Sequence, residues 1–291
     1  LAAGLLVGLR LMPLVEPVRD WTRDRSGRLP AGSIGITAGG LAIVIASAFV
    51  GFDAGRSAHR LFSARIVVAH RSGFDRGLLD GIDDSRLALV GESPSVTWTV
   101  WRQRSVQWII RADGVPRAIR SGDLRVCPES APDVLEALLP LVLHARPDRV
   151  LVLGLSGGVP LETCLACPVQ SVTCAEPDAV LERLVRTKLA AGDRRDPFSD
   201  DRLTWRRLPP ALALLGSGQP FDVVISHPDR PVLAASEFTA EFYRRVAGRL
   251  EADGVFCQRL EATDLGPAPV ESIVATLGQV FGQVAIVDVQ P

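Results

Sequence analysis

The stretch Pro147-Asp-Arg-Val-Leu-Val-Leu-Gly-Leu-Ser-Gly-Gly-Val159, followed by Gln170-Ser-Val-Thr-Cys-Ala-Glu176, decides the fold. Residues 150–153 are an uninterrupted apolar run of strand length. Gly154, Ser156, Gly157 and Gly158 then make a small-residue turn. A helix follows, then a second apolar run that ends in an acid. Glu176 lies 22 residues after Gly154, near the offset of about 20 at which such an acid meets ribose hydroxyls. A turn without bulky side chains lets backbone approach a nucleotide closely. The pattern points to an adenosine-type ligand. Glycine turns after strands also serve plain packing, and the spacing alone leaves that alternative open.

Outward from this stretch, strands and helices alternate. Strands are expected at 149–154, 170–175, 203–207, 221–226, 254–258 and 283–288. Helices are expected at 158–166, 178–191, 236–250 and 268–279. Alternation of this kind gives a mostly parallel sheet covered on both faces, with ligands at the carboxyl ends of the strands. Upstream, residues 132–144 carry Val134, Leu135, Leu138, Leu139 and Val142 at helical spacing. Before them, Ser95-Val-Thr-Trp-Thr-Val-Trp-Arg and Ser105-Val-Gln-Trp-Ile-Ile-Arg read as paired strands, with Asp113-Gly114 in the turn that follows.

The 291 residues carry a net charge of −1, so no overall field recruits nucleic acid. Residues 34–52 contain no charged side chain, and about 20 apolar residues cross a bilayer. A membrane span is expected there, the alternative being a buried helix of a soluble core. Arginines 19, 23, 25 and 28 precede it; arginines 56, 60, 65, 71 and 76 follow it. The slight excess after the span places the C-terminal part in the cytoplasm. The chain opens with Leu inside an apolar run and stops after Val-Asp-Val-Gln-Pro, and it is expected to be a piece of a longer one. Three parts result: a partial transmembrane region (1–60), a linker and small β unit (61–125) and an alternating α/β domain (126–291).

Five cysteines in no framework pattern argue against a disulfide scaffold. Cys164 and Cys167 form a CxxC, but no second pair and no neighbouring His completes a zinc set. They read as small apolar core thiols, in keeping with a reducing compartment.

Several segments together carry a family resemblance: Gly91-Glu-Ser-Pro-Ser-Val-Thr-Trp98, Arg111-Ala-Asp-Gly114, Leu138-Leu-Pro-Leu-Val-Leu-His144, Arg149–Gly158, Phe221-Asp-Val-Val-Ile-Ser-His-Pro-Asp-Arg-Pro231, Glu237-Phe-Thr-Ala-Glu-Phe-Tyr243 and Gly254-Val-Phe-Cys-Gln258. In order and spacing they resemble the spermidine synthase (polyamine aminopropyltransferase) family, over roughly residues 88–291. The likeness is greatest to its membrane-fused branch. The resemblance implies a methyltransferase-like Rossmann domain preceded by a small antiparallel β unit. It also implies transfer of an aminopropyl group from decarboxylated S-adenosylmethionine to an amine, with no separate cofactor and no metal.

Carried over residue by residue, Gly154 and Gly158 match glycines of the nucleotide turn, Ser156 stands where a glycine is usual, and Gly157 is expected to line the ligand with them. Glu176 matches the ribose-binding acid. Gln258 ends a strand on the ligand side. Leu208-Pro209 stands where the family has Gly-Asp near the adenine amino group, which removes both a carboxylate and a backbone donor. His227 takes the place of the catalytic acid, Arg230 that of a second acid three residues on, and Asp229 is shifted by one position. His227 is a general base in one reading, since an unperturbed imidazole titrates near neutral pH. In the other it is a loop histidine of an eroded site. Arg230 favours the second: two like charges about 4 Å apart cost roughly 4 kcal/mol at an effective dielectric of about 20.

The expected function is therefore a membrane-tethered, spermidine synthase-like protein that binds an adenosyl thioether or sulfonium ligand. Aminopropyl transfer to an amine would rest on His227 and Asp229. The alternatives are a transferase with another acceptor and a non-catalytic sensing or scaffolding domain that regulates the membrane part. The expected partners are the adenosyl ligand, a polyamine, membrane lipid through the N-terminal span and a second copy of the chain.

Overall fold

The computed structural model describes residues 86–103, 107–121, 131–189, 196–216, 218–228, 234–261 and 265–289. The expected span at 34–52 lies outside them. Among the described residues no helix is long and apolar enough to cross a membrane.

The small β unit is a four-stranded antiparallel sheet in sequential order: β1 (Arg86–Glu92), β2 (Thr97–Gln103), β3 (Gln107–Ala112) and β4 (Val115–Ser121). Two residues join β3 to β4, with Ala112 opposite Val115. Asp113 (φ 51°) and Gly114 (φ 86°) both lie in the left-handed region, as a tight hairpin turn matched to strand twist requires. The Asp113 carboxylate also accepts from the Thr97 N–H at 2.9 Å, which ties the turn to β2. Trp98 and Val100 of β2 and Ile110 and Ala112 of β3 face one way, into a core shared with the next sheet. Trp101 is fully buried on the opposite face, with the Arg111 guanidinium 4.5 Å from its ring centre.

After α1 (Ala131–Leu143), the second sheet has five parallel strands in the order β7-β6-β5-β8-β9. These are β5 (Arg149–Leu153), β6 (Ser171–Ala175), β7 (Leu203–Arg206), β8 (Phe221–Ser226) and β9 (Leu250–Gln258). Helices α2 (Val159–Ala166), α3 (Ala179–Leu189), α4 (Pro210–Ala213), α5 (Ala240–Ala247) and α6 (Pro267–Gly278) connect or cover them. Side chains alternate across a strand, so β5 feeds two cores. Val150 and Val152 pack with the small sheet, α1, α2 and α3. Leu151 and Leu153 pack with Phe242, Tyr243 and Val246 of α5 and Ile273 of α6. Truncating a buried leucine such as Leu151 or Leu153 to alanine costs about 2–5 kcal/mol. Strand order reverses between β5 and β8, and the carboxyl ends at such a reversal are where open α/β sheets hold their ligands.

Two expected elements differ. Residues 283–288 do not form a strand: Val284, Ile286 and Val287 are exposed, and no described strand pairs with the segment. Alternating apolar residues specify a strand only where a neighbour completes the ladder. The helix expected over 236–250 is confined to α5, because Thr239 is extended and caps it by accepting from the Phe242 N–H. Residues 235–238 make a separate 3₁₀ turn.

The two sheets meet at Gly157, where a Cβ would stand 2.6 Å from the Ala118 Cβ. Gly157→Ala is expected to lower stability by about 1–3 kcal/mol through overpacking. Adding Ala118→Gly to the same chain should recover part of that loss in chemical denaturation, whereas an unrelated cause would leave the two effects additive.

Candidate active site

The turn between β5 and α2 is held from three sides. The Gly154 N–H donates to the Ala175 carbonyl at 2.9 Å, the Gly158 N–H donates to the Leu155 carbonyl, and Gly158 (φ 81°) caps α2. Gly154 has φ 94°, and a Cβ there would fall 2.3 Å from the His227 carbonyl oxygen. Only glycine fits both conditions. Ser156 adopts φ 51° with its side chain buried, and its hydroxyl has no protein partner. From the small sheet, Arg120 donates to the Gly157 carbonyl at 2.9 Å and pairs with Glu162 of α2 at 2.7 Å.

Glu176, 4 % exposed, reaches back from the end of β6 to this turn. One carboxylate oxygen accepts from the Leu155 N–H at 2.9 Å, the other from the Asp178 N–H at 2.7 Å. Asp178 then caps α3 through the Val180 and Leu181 N–H groups and accepts from the Trp98 indole at 2.7 Å. The structure thus brings Gly154, Ser156, Gly158 and Glu176 together at the ends of β5 and β6. Gly157 faces the small sheet.

His227 follows β8 and is 4 % exposed. Its N–H donates to the Leu153 carbonyl at 2.8 Å, which extends the β5–β8 ladder by one residue. Its Nδ1 lies 2.8 and 3.0 Å from the two carboxylate oxygens of Glu136 on α1. Glu136 belongs to a buried charge cluster. Arg259, just after β9, approaches Glu136 at 3.5 Å and pairs with Asp133 and Glu261. Burial pushes the Asp133 carboxyl above its usual range, against the pull of Arg259 and His227. Burial works against the Arg259 guanidinium too, but Asp133, Glu136 and Glu261 outweigh it and hold its proton more firmly than usual.

Glu136, Asp133 and Arg259 did not stand out in the sequence. The available signal was a pair of acids one turn apart on a helix otherwise rich in leucine. That pattern also fits a solvated helix face, and the partners of Glu136 and Asp133 lie 91 and 126 residues away. Asp229 and Arg230 lie outside the described residues.

Gln258 ends β9 in a separate polar cluster. Its amide oxygen accepts from the Tyr243 hydroxyl at 2.7 Å, and its amide nitrogen donates to the Glu237 carbonyl at 3.1 Å. Burial pushes the Tyr243 phenol above its ordinary range, with Glu237 adding to the effect, so it remains a donor. Asp222 is positional: its carboxylate accepts from the Arg149 N–H at 2.7 Å, at the opposite end of the sheet. Cys164 is fully buried and Cys167 partly so; neither is in a disulfide, and burial raises both thiols above their usual range. Among the described residues no group of His, Cys, Asp and Glu has the arrangement of a metal site. After β7, Leu208 and Pro209 lead into α4.

Residues 136–289 match the family model of the spermine/spermidine synthase domain. The chain belongs to this family. It is 30% identical over 150 residues to the polyamine aminopropyltransferase of Moorella thermoacetica, covering 50% of this chain and 51% of that one. The chain thus spans about half the length of this curated relative. The fold resembles the spermidine synthase of Thermotoga maritima, with a TM-score of 0.60 at 23% identity over 68% of this chain and 65% of that one. It also resembles a spermidine synthase in complex with the transition-state analogue AdoDATO, with a TM-score of 0.58 at 22% identity over 68% of this chain and 64% of that one. At these identities the structural likeness establishes the methyltransferase-like α/β fold.

An amide in place of Glu176 retains one good acceptor for two buried N–H donors. Glu176→Gln is therefore expected to destabilise the fold by about 1–3 kcal/mol. Thermal unfolding at neutral pH reads this directly; an unchanged melting temperature would mean the carboxylate does not bridge the turn.

Proposed function

We propose that the domain binds an adenosyl thioether or sulfonium compound at the carboxyl ends of β5, β6 and β8, and transfers an aminopropyl group from decarboxylated S-adenosylmethionine to an amine. The observation that carries this reading is the Glu176 carboxylate seated on the Leu155 N–H of the glycine turn. A carboxylate offers about four acceptor positions, so one that braces a turn can also accept from ribose hydroxyls.

In the transfer, the amine lone pair forms a bond to the carbon beside the sulfonium. The carbon–sulfur bond breaks, and its electron pair leaves with sulfur as the neutral thioether, methylthioadenosine. An aliphatic ammonium has a pKa near 10, so it must give up a proton before it can attack. His227 is the group we assign to take it. Its burial against Glu136 supports this role over that of a solvated loop residue. The uncharged run at 34–52 supports tethering to a membrane, with lipid as a partner and the domain on the cytoplasmic side.

Leu208-Pro209, where the family carries an acid, favours a second reading: the ligand binds without turnover and the domain senses it. Two measurements separate the readings. Methylthioadenosine should raise the melting temperature, and Glu176→Gln should weaken its binding at least about tenfold, the equivalent of ~1.4 kcal/mol. With decarboxylated S-adenosylmethionine and putrescine, product should form, and His227→Gln should lower kcat by about 10²–10⁴. Binding without product would favour the sensor; no binding at all would sink both.

A further inference from the structure

We infer that Glu136 is a positioning residue for His227: it holds the ring proton on Nδ1 and so directs the basic Nε2 at the acceptor amine. This rests on the base role proposed above, which names His227 but not what orients it.

Nδ1 sits within 3.0 Å of both Glu136 oxygens. An ionised carboxylate can only accept, so Nδ1 must carry the hydrogen. In a neutral imidazole the lone pair is then on Nε2. Glu136 is kept in place in turn: Arg259 stands 3.5 Å away and is itself held by Asp133 on the preceding turn of α1 and by Glu261. The guanidinium thus keeps the Glu136 carboxylate beside Nδ1.

These residues come from three separate pieces of the fold: α1, the residue after β8 and the segment after β9. A carboxylate and an imidazole buried at 5 % and 3 % exposure carry a large desolvation cost unless each has a partner. A core that needed only packing would place apolar groups here at no loss of stability. Orienting a base is a function that an apolar replacement could not supply.

The surroundings decide how the ring titrates. Glu136 and Asp133 face it from α1, and Arg259 and Glu261 complete the cluster from the β9 side. Cys164 of α2 and Cys257 of β9 sense the Glu136 charge as well. Burial, with Glu136 adding to it, pushes the Cys257 thiol up to about 12, so it stays neutral near pH 7. Removing the nearest carboxylate should make the imidazolium easier to deprotonate, which lowers the ring's titration midpoint.

Long-range ¹⁵N–¹H correlation spectra of the histidine-labelled chain, assigned by comparison with His227→Gln, read tautomer and titration without needing turnover. We expect the Nδ1–H neutral tautomer at pH 8. In Glu136→Gln, which keeps shape and volume, the midpoint should fall by about one unit or more and the tautomer should become mixed. In the turnover assay, Glu136→Gln should lower kcat at least about tenfold while methylthioadenosine binding is unchanged, and Glu136→Asp should recover part of the rate. An Nε2–H tautomer, a ring that stays cationic through pH 9, or an unaltered midpoint in Glu136→Gln would overturn the inference. The spectra keep this test separate from the parent reading: the expected tautomer with no product from the wild-type chain would count against transfer, not against the pairing.

Discussion

The carboxylate of Glu176 is the fixed point of the strand ends. It joins three pieces of backbone: the end of β6, the glycine turn after β5 and the first residues before α3. Through Asp178 and the Trp98 indole the same connection reaches the small sheet. One buried acid therefore links the local turn geometry to the packing of both sheets. Its cost of burial is offset by two charge-assisted N–H bonds, each worth more than a neutral one. Gly154 makes the arrangement possible by letting β5 and His227 approach more closely than any side chain would allow.

A second set of buried charges lies across the strand-order reversal. His227, Glu136, Asp133, Arg259 and Glu261 come from elements far apart in the chain. The two sets differ in kind. Around Glu176 the donors are backbone, so geometry is set by the fold itself. Around His227 the partners are side chains, so geometry depends on a network in which each member holds the next. Loss of one member should therefore disturb the others more at His227 than at Glu176.

Much of the fold was legible in the sequence because its signals are local. The apolar runs at 150–153 and 171–175, the glycine turn and the Asp113-Gly114 hairpin each specify their own conformation within a few residues. Glu176 was legible through its offset from Gly154. The partner of His227 was not, since no local pattern connects positions 91 residues apart in the chain. Residues 283–288 failed in the opposite way: their alternation is local and clear, but a strand is completed by a neighbour that no described element provides. His227 itself was visible by position, while its setting, buried against a carboxylate, required the packing of α1 over β8 and β9.

The most direct test of this account is a co-crystal structure of the chain with methylthioadenosine. The account requires the ribose hydroxyls to donate to Glu176, with the sugar resting on the backbone of residues 154–158. A nucleoside bound elsewhere, or one at this turn whose ribose does not touch Glu176, would contradict it.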